Sequence, residues 1–204
     1  MAYSLTFLAL GDSYTIGEGV KNEDSFPFQT AGLLRKKGIT VNDPVIIART
    51  GWTTADLINA IEEKNIRRNF GIVTLLIGVN NQYQNKPVDQ YREQFRQLLK
   101  TAISFANGEY QRVFVLSIPD YSVTPFAAEK DPQKITREIV NYNDINKAIT
   151  DELGAHYVNI FIDSLLAGSD PEMIAQDGLH PSRKQYALWS VRLAEAIQNA
   201  FEGF

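Results

Sequence analysis

Five short runs of apolar residues, separated by stretches of helical periodicity, constrain this chain more than any other feature. They are Leu5–Leu10, Val45–Ala48, Ile72–Ile77, Val113–Ile118 and Tyr157–Ile162. Each is nearly continuous rather than alternating. A strand with one face in water alternates apolar and polar side chains, whereas a strand buried on both faces does not. The five runs are therefore expected to be strands of a parallel sheet covered by helices on both sides.

The intervening segments supply those helices. Thr53 and Asp56 form a capping box, with aspartate in place of the usual glutamate, ahead of Leu57, Ile58 and Ile61 on one face. Tyr91, Phe95, Leu98, Leu99, Ala102 and Ile103 recur at helical spacing, as do Ile135, Ile139, Tyr142, Ile145 and Ile149. A second capping box, Ser182 with Gln185, opens a last segment whose stripe is Tyr186, Trp189, Leu193, Ile197 and Phe201. The aromatics Trp189, Tyr142 and Phe201 read as core. Arg35, Lys36 and Lys37 before Gly38 read as a final helical turn, where cations suit the dipole and glycine caps the end. Strand and helix thus alternate throughout, the order of a doubly wound α/β sheet with right-handed crossovers. Pro119–Pro132 holds three prolines and no period. It is expected to be a long loop on the sheet's edge, and such loops often carry function.

The 204 residues contain no repeat and no linker, so a single domain over 1–204 is expected. Net charge is −4, with both signs mixed along the chain, which excludes the concentrated basic face of a nucleic-acid binder. The lack of cysteine excludes disulfides, thiolate catalysis and cysteine-based metal sites. No apolar run approaches the roughly 20 residues that span a bilayer. The first run has no basic segment before it and is closed early by Asp12, so it does not read as a signal peptide. The expected location is the cytoplasm.

In an open α/β sheet, ligands bind at the carboxyl ends of the strands. Small polar groups follow those ends here: Gly11-Asp12-Ser13, Arg49-Thr50-Gly51-Trp52, Gly78-Val79-Asn80-Asn81-Gln82, and, beyond a short helical insert after the fifth run, Asp177-Gly178-Leu179-His180-Pro181. These are the parts of an acyl-transfer site. A serine hydroxyl needs a base to take its proton, and histidine usually serves. Of the two histidines, His156 opens the fifth strand on the opposite rim, while His180 lies past its carboxyl end. Asp177, three residues before His180, is spaced to hold the imidazole Nδ1–H and leave Nε2 facing Ser13. The backbone N–H groups of Ser13 and Gly51 and the Asn80 amide are candidate donors to an oxyanion.

At these residues the sequence resembles the GDSL esterases, also called SGNH hydrolases. Their blocks appear in family order as Gly11-Asp12-Ser13-Tyr14-Thr15, Gly51, Gly78-Val79-Asn80 and Asp177-Gly178-Leu179-His180. The resemblance implies a three-layer α/β/α, flavodoxin-like fold with a five-stranded parallel sheet. It also implies a Ser13-His180-Asp177 triad and an oxyanion hole of Ser13, Gly51 and Asn80. Asn81 stands where many members carry aspartate. The Gly-x-Ser-x-Gly elbow of the α/β-hydrolases is not satisfied, because Thr15 occupies its last position.

Taken singly, Ser13 would be a turn residue or helix cap and Gly51 a turn glycine; the ordered set gives them chemical roles. Asp12 reads as structural. Asn80 and Asn81 precede a helix that either would cap, and Asn80 is preferred for the oxyanion. A metal site at Asp177 and His180 would need a further ligand, so no metal and no cofactor are expected. The glycines 11, 17 and 19 lack a phosphate-loop spacing. Tyr14, Trp52, Tyr83, Tyr121 and Phe126 are candidate walls of a substrate cavity. The expected partner is a small-molecule ester of short acyl chain, on an acetylated carbohydrate or simple alcohol, or a lysophospholipid. The polar stretch Asn80 to Asn85 suits a sugar or head group. The alternative is a non-catalytic flavodoxin-like module that binds a small ligand on the same rim.

Overall fold

The computed structural model describes residues 4–202; residues 1–3 and 203–204 of the expected domain lie outside them. Five strands form one all-parallel sheet: β1 (Phe7–Gly11), β2 (Val45–Ala48), β3 (Ile72–Leu76), β4 (Val113–Leu116) and β5 (His156–Val158). Their order is β2-β1-β3-β4-β5. Among the described residues, eight α-helices accompany them: α1 (Ser13–Ile16), α2 (Phe26–Lys36), α3 (Thr54–Lys64), α4 (Val79–Tyr83), α5 (Val88–Phe105), α6 (Pro132–Glu152), α7 (Phe161–Ser164) and α8 (Arg183–Glu202). From β1 the chain steps outward to β2, then crosses back over β1 to reach β3, β4 and β5. Right-handed crossovers therefore place α2 on one face and α3, α5 and α6 on the other. The packing agrees: α2 lies against α8, while α5 lies between α3 and α6. This is the expected three-layer α/β/α sandwich.

The core follows the apolar periodicity. Strands β1, β3 and β4 are buried along their whole length. Tyr91, Phe95, Leu98, Leu99 and Ala102 of α5 are buried, as are Ile135, Ile139, Tyr142, Ile145 and Ile149 of α6. Tyr186, Trp189, Leu193 and Ile197 of α8 are buried too, and Ile103 and Phe201 pack against this core from its margin. Removing such side chains from water is the main favourable term in folding.

Some boundaries differ from the sequence expectation. Leu5 makes an isolated bridge to Val41 rather than extending β1. The fifth run splits: β5 stops at Val158, and Phe161–Ser164 is helical. The cause is polar capture of the backbone. The Ser117 hydroxyl accepts the N–H groups of Ile160 and Phe161, and the Asn159 side chain also accepts that of Phe161. Segment 119–131 leaves β4, one strand in from the edge, and so reaches the middle of the carboxyl rim. The Thr53 capping box forms in full. That of Ser182 forms by half: its hydroxyl accepts the N–H groups of Lys184 and Gln185, but the Gln185 amide donates to the carbonyls of Asp163 and Ser164 instead.

The parallel register brings the ends of the three central strands level. Gly11 pairs with Ala48 on one side and Leu76 on the other. A side chain at Gly11 would meet the Thr15 hydroxyl at 2.1 Å and the Leu76 carbonyl at 2.4 Å. Only glycine lets the chain turn here from β1 into α1. The reversal of strand order at β1 opens the crevice where ligands settle in this class of sheet.

Candidate active site

Ser13 is the first residue of α1, directly beyond β1, and is 5% exposed. Asp12 caps that helix, its Oδ1 accepting the Tyr14 N–H at 3.0 Å. Asp12 is fully buried, and its Oδ2 has no hydrogen-bond partner among the described residues. Burial pushes its carboxyl up to about 7, against the lowering effect of the Tyr14 N–H.

His180 arrives from the opposite end of the chain on a tight turn. The Ala175 N–H donates to the His180 carbonyl at 2.8 Å, and Ile174 bridges Pro181 antiparallel. Within the turn, Asp177 Oδ1 accepts the N–H groups of Leu179 and His180, both at 2.9 Å. Its other oxygen lies 2.7 Å from His180 Nδ1. Burial raises the Asp177 carboxyl, but the Leu179 N–H, the His180 ring and the His180 N–H outweigh it, and the net position is below the ordinary value. An ionised carboxylate only accepts, so the Nδ1 proton belongs to histidine and Nε2 is left as an acceptor. Nε2 lies 3.0 Å from Ser13 Oγ. His180 is 8% exposed, and the Tyr14 ring meets it edge-on at 5.6 Å.

Ser13 and His180 open into a cavity of about 130 Å³. Thr50, Gly51 and Asn80 line its polar side; Tyr14, Val79, Tyr83, Tyr121, Phe126 and Leu179 line the rest. Tyr83, Tyr121 and Phe126 contact one another with ring centroids 5.9 to 6.3 Å apart. Tyr83 and Phe126 remain 47% and 40% exposed at the rim, with the Lys130 ammonium over both rings. Burial pushes the Tyr121 hydroxyl up to about 12.

Ser13, His180, Asp177, Gly51 and Asn80 are thus brought together. Of the five candidate walls, Tyr14, Tyr83, Tyr121 and Phe126 line the cavity. Trp52 does not: its ring packs against the core, and it offers its carbonyl to Asn80 Nδ2 at 2.9 Å. Asn80 and Asn81 do not cap the following helix either. Both lie inside α4, which begins at Gly78 with no side-chain cap. In the polar stretch expected to suit a sugar or head group, Asn81 and Gln82 are buried, while Tyr83, Gln84 and Asn85 are exposed. Asn81 bonds Thr54, Gln82 bonds Tyr121 and Glu138, and Gln84 bonds the Gly51 carbonyl. Thr50, Val79 and Leu179 also line the cavity, though the sequence names them only within the polar groups; Val79 and Leu179 occupy spacer positions within Gly-x-Asn and Asp-x-x-His. A spacer between two residues on one rim shares that rim, and this was the available signal. His156 stands at the start of β5, on the other end of the sheet.

Among the described residues, no three His, Asp or Glu side chains cluster so as to hold a metal ion, and no helix is long and apolar enough to cross a membrane.

No curated protein matches the sequence. Several solved structures share the fold. TesA superposes over 96% of this chain and 99% of its own with a TM-score of 0.75 and 16% identity. An acetyl xylan esterase, AlAXEase, covers 95% of this chain and 100% of its own at 0.73 and 17%. An acetylxylan esterase from Geobacillus stearothermophilus covers 98% and 94% at 0.68 and 22%. At these identities the likeness speaks to the fold alone. The family model for GDSL-like lipases and acylhydrolases matches residues 9–188, a span running from β1 through the Asp177–His180 turn into α8. The match sets aside the binding-module alternative: the chain belongs to the GDSL-like lipase/acylhydrolase family, and it is a carboxylic ester hydrolase.

Proposed function

We propose that this protein is a serine esterase that works through an acyl-enzyme on Ser13 and acts on short-chain acyl esters. The observation that carries the reading is the unbroken line from Asp177 Oδ2 through the His180 ring to Ser13 Oγ, at 2.7 and 3.0 Å. His180 Nε2 takes the Ser13 proton as Oγ attacks the ester carbonyl carbon. The carbonyl oxygen becomes an oxyanion held by the N–H groups of Ser13 and Gly51 and by the Asn80 amide. An amide nitrogen carries two hydrogens, so Asn80 can serve the oxyanion while it holds the Trp52 carbonyl. Collapse expels the alcohol, which takes the proton from Nε2. A water then gives its proton to Nε2, attacks the acyl carbon, and releases the acid as Oγ recovers its proton. Asp177 stays ionised and stabilises the imidazolium.

The substrate is an acetylated carbohydrate or a simple ester of a short acid, and the alcohol released is the carbohydrate hydroxyl or the simple alcohol. A cavity of about 130 Å³ rimmed by three aromatic rings supports a short acyl group over a long one, and two of the similar structures are described as acetylxylan esterases. The test is a series of 4-nitrophenyl esters of increasing acyl length. Turnover is expected to peak at acetate or butyrate and to vanish in Ser13→Ala. A peak at long chains would overturn the substrate class, and full turnover by Ser13→Ala would overturn the nucleophile.

A further inference from the structure

The sheet order sets a mechanical problem at the active site. Gly51 follows β2 and Asn80 follows β3, and these strands flank β1 rather than each other. The two donors assigned to the oxyanion, other than Ser13 itself, therefore approach from opposite sides and share no strand pairing. The segment that carries Gly51 makes few ties of its own. Gly51 has φ +81°, a Cβ there would meet nothing within 4 Å, and its turn is closed by one 3.3 Å backbone bond from the Trp52 N–H to the Arg49 carbonyl, with the Thr50 hydroxyl donating to the Glu18 carboxylate. Yet an oxyanion hole works only when its donors are fixed before the charge develops.

Asn81 supplies the tie. It is 1% exposed, and its carboxamide closes on Thr54, the first residue of α3. Oδ1 accepts the Thr54 N–H at 3.0 Å, and Nδ2 donates to Thr54 Oγ1 at 2.7 Å. A backbone N–H can only donate, so the amide orientation is fixed by chemistry. The Thr54 hydroxyl passes its own proton to Gln94 Oε1 on α5 at 2.6 Å. The Thr54 N–H is one of the unpaired donors at a helix start, so the bond also completes the cap of α3. On the same short helix and at its end, Asn80 and Gln84 hold the carbonyls of Trp52 and Gly51 at 2.9 and 3.3 Å. The buried member of this grip is Asn81.

We propose that Asn81 is a positioning residue for the oxyanion hole, locking the Gly51 loop and α4 into one unit across Ser13. The proposal rests on the serine-esterase reading. Asn81 touches no substrate, so its loss should move kcat rather than KM. Asn81→Leu keeps the bulk and removes both bonds. It is expected to lower kcat for 4-nitrophenyl acetate by about 10- to 100-fold, less than or equal to the loss of a donor itself, with KM within about 2-fold. Asn81→Asp keeps an acceptor for the Thr54 N–H and accepts the Thr54 hydroxyl once Gln94 turns its amide. It should restore kcat to within a few fold of wild type. Thr54→Val removes only the hydroxyl half of the tie and should fall between the two.

Rates are taken per active site counted by fluorophosphonate, with melting followed by circular dichroism. Wild-type kcat per site in a folded Asn81→Leu would overturn the proposal, as would an Asn81→Asp variant as slow as Asn81→Leu. If Asn81→Leu does not fold, Thr54→Val decides: reduced kcat at unchanged KM supports the tie, and unchanged kcat refutes it. Wild-type protein that neither turns over nor labels would sink the esterase reading, and this inference with it.

Discussion

The chain has two histidines, at opposite ends of the same sheet, and only one of them sits among partners. His180, past the carboxyl end, has Asp177 on Nδ1 and Ser13 on Nε2. His156, at the amino end of β5, stacks on Phe114 with centroids 4.8 Å apart and planes at 13°, and its Nε2 is buried with no hydrogen-bond partner among the described residues. One imidazole is placed for the proton transfer proposed above, and the other packs as a flat ring. The difference comes from which rim of a parallel sheet each reaches. The carboxyl ends lead into loops that converge at the strand-order reversal, and the amino ends do not.

The largest expected effect is on the partnered side. His180→Ala should lower kcat by about 10³-fold or more without altering the fold, since the loss of the base leaves Ser13 a weak nucleophile. A crystal structure or circular dichroism spectrum beside the kinetics checks that the loss is chemical. Asp177→Asn should follow, at roughly 10²- to 10⁴-fold, because an amide no longer fixes the Nδ1–H tautomer. Asn80→Ala should cost about 10²-fold as one oxyanion donor is lost. Near wild-type turnover would remove Asn80 from that role. On the other rim, His156→Leu should leave kcat and KM unchanged. A buried nitrogen without a partner costs about 1 kcal/mol or more, so stability should hold or rise slightly. A large loss of activity in this variant would erase the contrast between the two ends.

Acid titration sharpens the same picture within the site. Asp177 has its carboxyl lowered in the fold, so its contribution to stability is present above the ordinary carboxylate range and lost as pH falls through the folded value. Asp12 runs the other way. Its folded value of about 7 lies above the unfolded 3.8, so the folded protein binds the extra proton. Its contribution is full below about 4 and is lost as pH rises toward 7. Melting temperature measured from pH 4 to pH 8 should therefore decline more steeply in wild type than in Asp12→Asn, by several degrees across the window. Parallel curves would mean that Asp12 is already ionised in the fold.

Much of this was legible in the sequence, for physical reasons that can be named. Strands buried on both faces must be continuous in apolar residues, so β1, β3 and β4 showed at once, while the edge strand β2, only part-buried, still showed as a short apolar run. The site showed because its residues fall in short polar groups just past strand ends. What escaped was decided by side chains that bond backbone at a distance. Ser117 and Asn159 ended β5 early and turned Phe161 into a helix. The carbonyls of Asp163 and Ser164 drew Gln185 away from its cap. Trp52 looked like a cavity wall because it neighbours Gly51, but the core claimed its ring. Asn81 looked interchangeable with Asn80. On a helix, adjacent residues point about 100° apart, so one faces the cavity and the other closes on α3.

The most direct measurement of the central claim is intact-protein mass after exposure to a fluorophosphonate, on wild type, Ser13→Ala, His180→Ala and His156→Leu. The account predicts one adduct on wild type and on His156→Leu at equal rates, none on Ser13→Ala, and strongly slowed labelling of His180→Ala. An adduct that persists in Ser13→Ala, or equal labelling of His180→Ala and wild type, would contradict it.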